Sequence, residues 1–227
     1  MTHALTLDRI EPVTHDTYRL IFPRPEGYAF EPGQATDLAL DRDGFREQTK
    51  PFTFTSQPED EVLEFVIKTY PTDENPDHDG VTERIAGMTP GDGVLIGDAW
   101  GAITDKGPGV FIAGGAGVTP FIAILRRRAR EGTLRGCKLI YANKTVRDII
   151  LKDEFDGMEG LETVYVVDGE EAEGYPSGPV DEAFLKARIA DFDQPIYVCG
   201  PPKMTEAVVD ALKSLGAEPD GITLEEK

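Results

Sequence analysis

Seven residues, Gly114-Gly-Ala-Gly-Val-Thr-Pro120, form the sharpest local pattern in the chain. They follow a short apolar run, Val110-Phe-Ile-Ala, and precede a stretch with helical spacing. Glycines let a backbone approach a pyrophosphate closely, and a helix N-terminus offers free N–H groups and the positive end of its dipole. Thr119 suits an N-cap and Pro120 the first helical position. The spacing is not G-x-G-x-x-G, since Pro120 stands where a third glycine would, and a plain strand–helix turn is the structural alternative. A second pattern, Val198-Cys-Gly-Pro-Pro-Lys-Met204, also joins an apolar run to a helix. Ligands of open α/β sheets gather at the carboxyl ends of strands, so two such ends suit one crevice. Cys199 would line it, although a free cysteine is more often simply buried. A third pattern, Lys50-Pro-Phe-Thr-Phe-Thr-Ser56, alternates polar and aromatic positions. One face offers a cation and hydroxyls; the other could just as well be aromatic packing.

The elements around these patterns fall into two kinds. Up to about residue 100, short apolar segments alternate with turns: Ala4–Ile10, Thr17–Phe22, Ala35–Leu40, Lys50–Ser56, Val62–Thr69 and Gly93–Ile96. Many short strands with regular turns predict an antiparallel β-barrel. After Lys106 strands and helices alternate. Strands are expected at Val110–Ala113, Lys138–Ala142, Thr163–Val167 and Ile196–Cys199. Helices are expected at Pro120 to about Arg130, near Leu151–Met158, at Asp181–Ile189 and at Lys203–Leu215. That order predicts an α/β domain with a parallel sheet covered on both faces. The expected domains are 1–105 and 106–227.

Composition narrows the function classes. The formal net charge of −19 opposes a general nucleic-acid binder, which needs a basic face, and disfavours anionic membranes. No apolar run approaches the roughly 20 residues of a membrane span, and the first residues lack signal-peptide order. A cytoplasmic protein is expected. Two cysteines cannot ligate a four-cysteine iron–sulfur cluster, and the three histidines show no ligand spacing, so no metal is expected. The basic run Arg126, Arg127, Arg128 and Arg130 reads as a solvated helix end or as a docking patch.

Taken in order, the three patterns resemble the ferredoxin–NADP reductase superfamily over nearly the whole chain. Val66-Ile-Lys-Thr-Tyr70 with Pro76 downstream, and Tyr141-Ala-Asn-Lys-Thr-Val-Arg-Asp-Ile-Ile-Leu151, look most like its cytochrome b5 reductase and nitrate reductase branch. The resemblance implies a flavin-binding barrel followed by a nicotinamide-binding α/β domain. Lys50, Pro51, Phe52, Thr53 and Ser56 match the flavin motif: Lys50 toward the phosphate, Phe52 against the ring, Thr53 near its reactive nitrogen. Lys50 stands where the family has Arg and loses the bidentate fork; Phe52 stands where it has Tyr. FAD is implied, with FMN left open. Ile67, Lys68 and Thr69 match a second flavin-side segment, and Gly80, Val81 and Thr82 a phosphate-binding turn.

On the nicotinamide side Gly115, Gly117, Thr119 and Pro120 match the dinucleotide loop. Cys199, Gly200, Pro201 and Met204 match the segment beside the nicotinamide. Asn143 and Lys144 fall where the family reads the adenosine ribose, and the pattern there leans toward NADH over NADPH. The implied activity is hydride transfer from NADH or NADPH to flavin, then electron transfer to a protein or small acceptor. Thr53 and Cys199 would orient the reacting rings without acting as acid, base or nucleophile. A reductase subunit of an oxygenase, or a regulatory module that binds flavin or nucleotide without turnover, are the alternatives. No aromatic follows Tyr197, so the flavin face is expected to be open, or guarded only by a movable aliphatic such as Leu224.

Overall fold

The computed structural model describes residues 2–70 and 80–224. The chain divides into two compact units, Met1–Gly101 and Ala102–Lys227. The division falls four residues before the one expected at 105/106, because the stretch after Gly101 is fastened to the second unit. Asp105 pairs with the buried guanidinium of Arg128. The Tyr197 hydroxyl accepts from the Lys106 N–H at 2.8 Å and donates to the Gly107 carbonyl at 2.8 Å.

The first unit contains β1 (His3–Thr6), β2 (Arg9–Pro12), β3 (Thr17–Pro23), β4 (Ala35–Leu40), β5 (Lys50–Thr53), β6 (Val62–Lys68), α1 (Val81–Ile85) and β7 (Gly93–Ile96). All its strand pairs are antiparallel, in two sheets ordered β1-β7-β4-β5 and β2-β3-β6. Among the described residues a bridge between Phe54 and Phe65 links them. The segment expected as one strand over Ala4–Ile10 is broken in two. The Leu7 N–H bonds to Asp92 and the Asp8 N–H to Ile21, so the chain crosses from one sheet to the other at that point. Such a crossing turns a barrel corner. Phe54 sits at the centre, 4.4 Å from the Phe30 ring and 5.1 Å from Phe65. Burying each of these rings contributes about 1.5–3 kcal/mol. Lys50 to Thr53 form a sheet edge, which tolerates Pro51 because an edge residue can lack an N–H.

The second unit contains β8 (Val110–Gly114), α2 (Thr119–Glu131), β9 (Lys138–Asn143), α3 (Lys152–Asp156), β10 (Glu162–Val167), α4 (Glu182–Arg188), β11 (Ile196–Cys199), α5 (Pro202–Ser214) and β12 (Ile222–Leu224). Its five strands are parallel in the order β10-β9-β8-β11-β12. One face packs Ile112, Ile140 and Val198 against Leu185 of α4 and Leu212 of α5. On the other, Phe111 stacks on Tyr197 at 4.3 Å and meets Phe121 of α2 edge-on at 5.3 Å. Residues alternate between faces along each strand, and both faces are dry, which is why these strands read as continuous apolar runs. The chain order reverses between β8 and β11. That reversal is the topological switch point where such sheets bind ligands.

Candidate functional site at the sheet switch point

Both glycine-containing patterns of the second unit end strands that flank the switch point. Cys199 at the end of β11 stands opposite Ala113 of β8. The following backbones interlock. A Cβ on Gly117 would lie 2.4 Å from the Cys199 carbonyl oxygen and 2.6 Å from the Gly200 nitrogen. A Cβ on Gly114 would lie 2.4 Å from the Met204 sulfur and 2.9 Å from Pro201. Gly115 differs: its φ is +52° and nothing lies within 4 Å of where its Cβ would be. Residues 115–118 form a 3-10 turn before α2, which the sequence did not signal. Thr119 is consequently not the N-cap. That position is Val118, and the Thr119 hydroxyl donates to the Ala116 carbonyl at 3.0 Å. Pro120 follows as the second residue of α2, where its missing N–H costs nothing.

The adjoining strand end carries Asn143 and Lys144. The Tyr141 hydroxyl donates to the Gly115 carbonyl at 3.0 Å and so ties β9 to the glycine turn. Asn143 is 6% exposed, and neither its amide nitrogen nor its amide oxygen has a hydrogen-bond partner among the described residues. A buried primary amide left unpaired costs about 1–3 kcal/mol. Such an orphan at a switch point fits a ligand that supplies the missing bonds. Lys144 is exposed. Its carbonyl accepts the Gly169 N–H at 2.8 Å, so the loop after β10 lies against it.

In the first unit, Lys50 and Pro51 are exposed, Phe52 is half-buried against the barrel core and Thr53 is buried. The Ser56 hydroxyl accepts the Glu64 N–H at 3.0 Å inside the unit. Ile67 and Val81 place their side chains in the core. The Thr69 hydroxyl donates to the Asp16 carbonyl at 2.9 Å. Lys68 pairs with the Asp16 carboxylate at 2.7 Å. Asp16 has its pKa lowered: burial works to raise it, but hydrogen bonds from Lys68 and Thr14 and the charge of Lys68 outweigh that. Gly80 opens helix α1, and its N–H donates to Glu83 Oε2 at 2.6 Å, while the Thr82 hydroxyl donates to Glu83 Oε1 at 3.1 Å. Pro76 lies outside the described residues.

Residues 111–210 match the oxidoreductase NAD-binding domain family. The NADH-cytochrome b5 reductase 1 of Ajellomyces capsulatus is 30% identical over 92% of this chain and 73% of that protein. The chain belongs to the ferredoxin–NADP reductase superfamily, with the cytochrome b5 reductases. The reductase component of propane 2-monooxygenase from Rhodococcus jostii is 31% identical over 94% of this chain. The chain spans 60% of that relative, and less than two thirds of several other curated relatives it matches. The CS-b5R domains of human Ncb5or, solved in an NAD+ form, superpose with a TM-score of 0.84, covering 99% of this chain and 69% of theirs at 25% identity.

Within this reductase superfamily the structure also shows what the sequence reading missed. Asp16 holds Lys68 and Thr69, and Glu83 holds the Gly80 N–H, all in segments that the sequence resemblance assigns to flavin. Their signal was faint: an acid beside hydroxyls in Thr14–Thr17, and an acid three residues after Gly80. The basic run is not a free patch, since Arg126 is held by Glu154 and Arg128 by Asp105. Leu224 is fixed rather than movable, because Ile222–Leu224 adds a fifth parallel strand beside Ile196–Val198. No helix among the described residues is long and apolar enough to cross a membrane.

Proposed function

We propose that this chain is a flavin-dependent NAD(P)H oxidoreductase that takes a hydride from NADH, or NADPH, onto FAD and passes electrons to a redox partner. The observation that carries this reading is the switch-point site: two glycine-interlocked strand ends beside a buried, unpartnered Asn143 amide. Relatives named as NADH-cytochrome b5 reductases and as reductase components of oxygenase systems support it.

Bound flavin supplies the chemistry of accepting a hydride and releasing electrons. The chain's residues supply holding and orientation. In the second unit the N–H groups of the turn at Gly115–Gly117 would meet the pyrophosphate, assisted by the N-terminal end of α2. Asn143 and Lys144 would take the adenosine side. Cys199, Gly200, Pro201 and Met204 would take the nicotinamide side, with Cys199 a compact wall rather than a nucleophile. In the first unit Lys50 would neutralise the flavin phosphate, Phe52 would present a ring face and Thr53 a hydroxyl donor. Gly80 to Thr82 would offer backbone N–H groups, for which a phosphate must compete with Glu83. FMN remains the alternative flavin. The redox partner is an electron-accepting protein or a small acceptor. The match to an oxygenase reductase component favours a second reading, a reductase acting within a larger oxygenase system.

The test is spectroscopic. Purified protein reconstituted with FAD and with FMN should retain one flavin per chain, and anaerobic NADH should bleach it. A chain that keeps neither flavin, or a yellow protein that neither NADH nor NADPH bleaches, would refute the reading.

A further inference from the structure

Pairing between β7 and β4 continues past Ile96. The Gly97 N–H bonds to the Asp37 carbonyl at 3.0 Å, in step with the ladder before it. Farther on, Ala35 and Trp100 exchange both main-chain bonds, at 2.7 and 2.8 Å. Between those two points the chain uses Asp98 and Ala99 where β4 uses Thr36 alone. The extra residue is a β-bulge, and a bulge re-aims the side chains beyond it. Along β7, Val94 and Ile96 face the barrel core. Strict alternation would send Trp100 the same way. The bulge instead turns Ala99 onto the core and Trp100 to the opposite face. There it joins a row. Residues directly opposite in antiparallel ladders share a face, so Trp100, Ala35 and Thr53 stand side by side across the continuation of β7, β4 and β5. Ordinary ladder spacings put the Cα atoms of Trp100 and Thr53 about 10 Å apart. Phe52, one residue before Thr53, packs on the core instead.

We propose that Trp100 is a flavin-contacting residue, whose indole N–H donates to a carbonyl oxygen of the ring system that Thr53 meets along the same row. The proposal rests on the flavin reading above, which puts the reactive part of the ring at Thr53. Three observations carry it further. The Trp100 Nε1 is buried and has no hydrogen-bond partner among the described residues. An indole N–H can only donate, and when buried it usually finds an acceptor. The orphan therefore points to a ligand that brings an acceptor, as the pyrimidine edge of a flavin does. The bulge is the second observation, because it takes a large aromatic out of an apolar barrel and sets it in line with Thr53. The third is Ala35. A small side chain between the two keeps the middle of the row low, so a flat ring can reach the hydroxyl and the indole together.

Trp100 is the chain's only tryptophan, so Trp100→Phe removes every indole while keeping an aromatic ring at the site. The full chain, stripped of flavin, is titrated with FAD and with FMN. Both dissociation constants should rise by about threefold to tenfold in the variant, the loss of one hydrogen bond. Flavin emission is the second readout. An indole touching a flavin darkens it, by lending an electron to the excited ring and taking it back with no net reaction. Emission per bound flavin should therefore be low in the parent and rise severalfold in Trp100→Phe. Ala35→Val tests the row without touching the indole, since its added bulk lies on the face away from the core and should weaken both flavins. Unchanged affinity and emission in Trp100→Phe overturn the proposal. Weaker affinity with emission as low as the parent's also overturns it, since the indole would then be a packing group only. So does an Ala35→Val chain that binds both flavins as the parent does, since no ring then lies on the row. A parent that binds neither flavin sinks the flavin reading itself, and this proposal with it.

Discussion

Replacing Gly117 with alanine tests whether the interlocked strand ends form the nicotinamide site. The added Cβ would lie 2.4 Å from the Cys199 carbonyl oxygen, 2.5 Å from its carbon and 2.6 Å from the Gly200 nitrogen. Ordinary contact begins near 3.5 Å, so about 1 Å of movement is required. All three obstacles are main chain at a parallel-strand end, with no side chain to swing aside. Overpacking of this kind costs about 1–3 kcal/mol. A cost near 2 kcal/mol lowers the melting midpoint of a unit this size by roughly 5–10 °C. The movement is delivered to Cys199 and Gly200, so nicotinamide affinity should fall by about tenfold or more while flavin stays bound. Gly115→Ala is the comparison for stability, since Gly115 itself lies on the surface proposed for the ligand. It meets no atom within 4 Å but forces a side chain to φ +52°, a strain of about 1 kcal/mol with no push on Cys199. Calorimetric titration with NADH analogues and thermal melts of parent and both variants read the two effects. If Gly117→Ala keeps the parent's nicotinamide affinity and midpoint, the interlock does not shape the site.

Two further changes probe the first unit. Glu83→Gln removes the anion that competes for the N–H groups opening α1, so the flavin dissociation constant should fall by about threefold to fivefold, near 1 kcal/mol; fluorescence titration showing equal or weaker flavin binding would count against a phosphate at that turn. Asp16→Asn removes the partner of Lys68 and should cost about 1–3 kcal/mol at pH 7. Because the folded pKa of Asp16 lies below its usual value, its contribution is present above the usual value and lost as pH falls through the folded one. Urea melts from pH 7 down to about pH 3 should therefore fall more steeply for the parent than for the variant, and parallel curves would refute that assignment.

The class of each unit was legible because periodicity survives packing. Ala35–Leu40, Gly93–Ile96 and Ile196–Cys199 are strands with the bounds read from sequence, each an apolar run closed by turn residues. What escaped were features made by distant partners. The break at Leu7 and Asp8 arises because Asp92 and Ile21 capture successive N–H groups, and nothing local marks it. Ile222–Leu224 is too short to announce itself; it is a strand because β11 offers it an open edge. The expected helical cap, Thr119, fits the local rules for an N-cap, yet the glycines before it coil into a 3-10 turn that takes its hydroxyl. The candidate site was legible as motifs, while the acids that restrain it were not. Asp16 and Glu83 are unremarkable in a chain with 42 acidic residues until the fold sets each against a particular N–H or ammonium group.

The glycines show how one motif can carry two demands. Sequence reasoning assigns every glycine of such a turn to the approach of a pyrophosphate. In the structure Gly114, Gly117 and Gly200 are spent on one another's strands: Gly117 clears the Cys199–Gly200 backbone, and Gly200 lies 3.1 Å, Cβ to nitrogen, from Gly114. Only Gly115 opens onto free space, and it alone of these has a left-handed backbone. Three glycines therefore bring β8 and β11 close enough to form the crevice, and the fourth leaves it open. A dinucleotide fingerprint at a switch point is on this account a rule for strand-end packing first, and the ligand uses the surface that packing leaves exposed. The same division explains why the proline after the turn is tolerated. A third glycine is needed where a helix must press against its strand, and here α2 leaves the turn through a 3-10 step that already satisfies the Ala116 carbonyl.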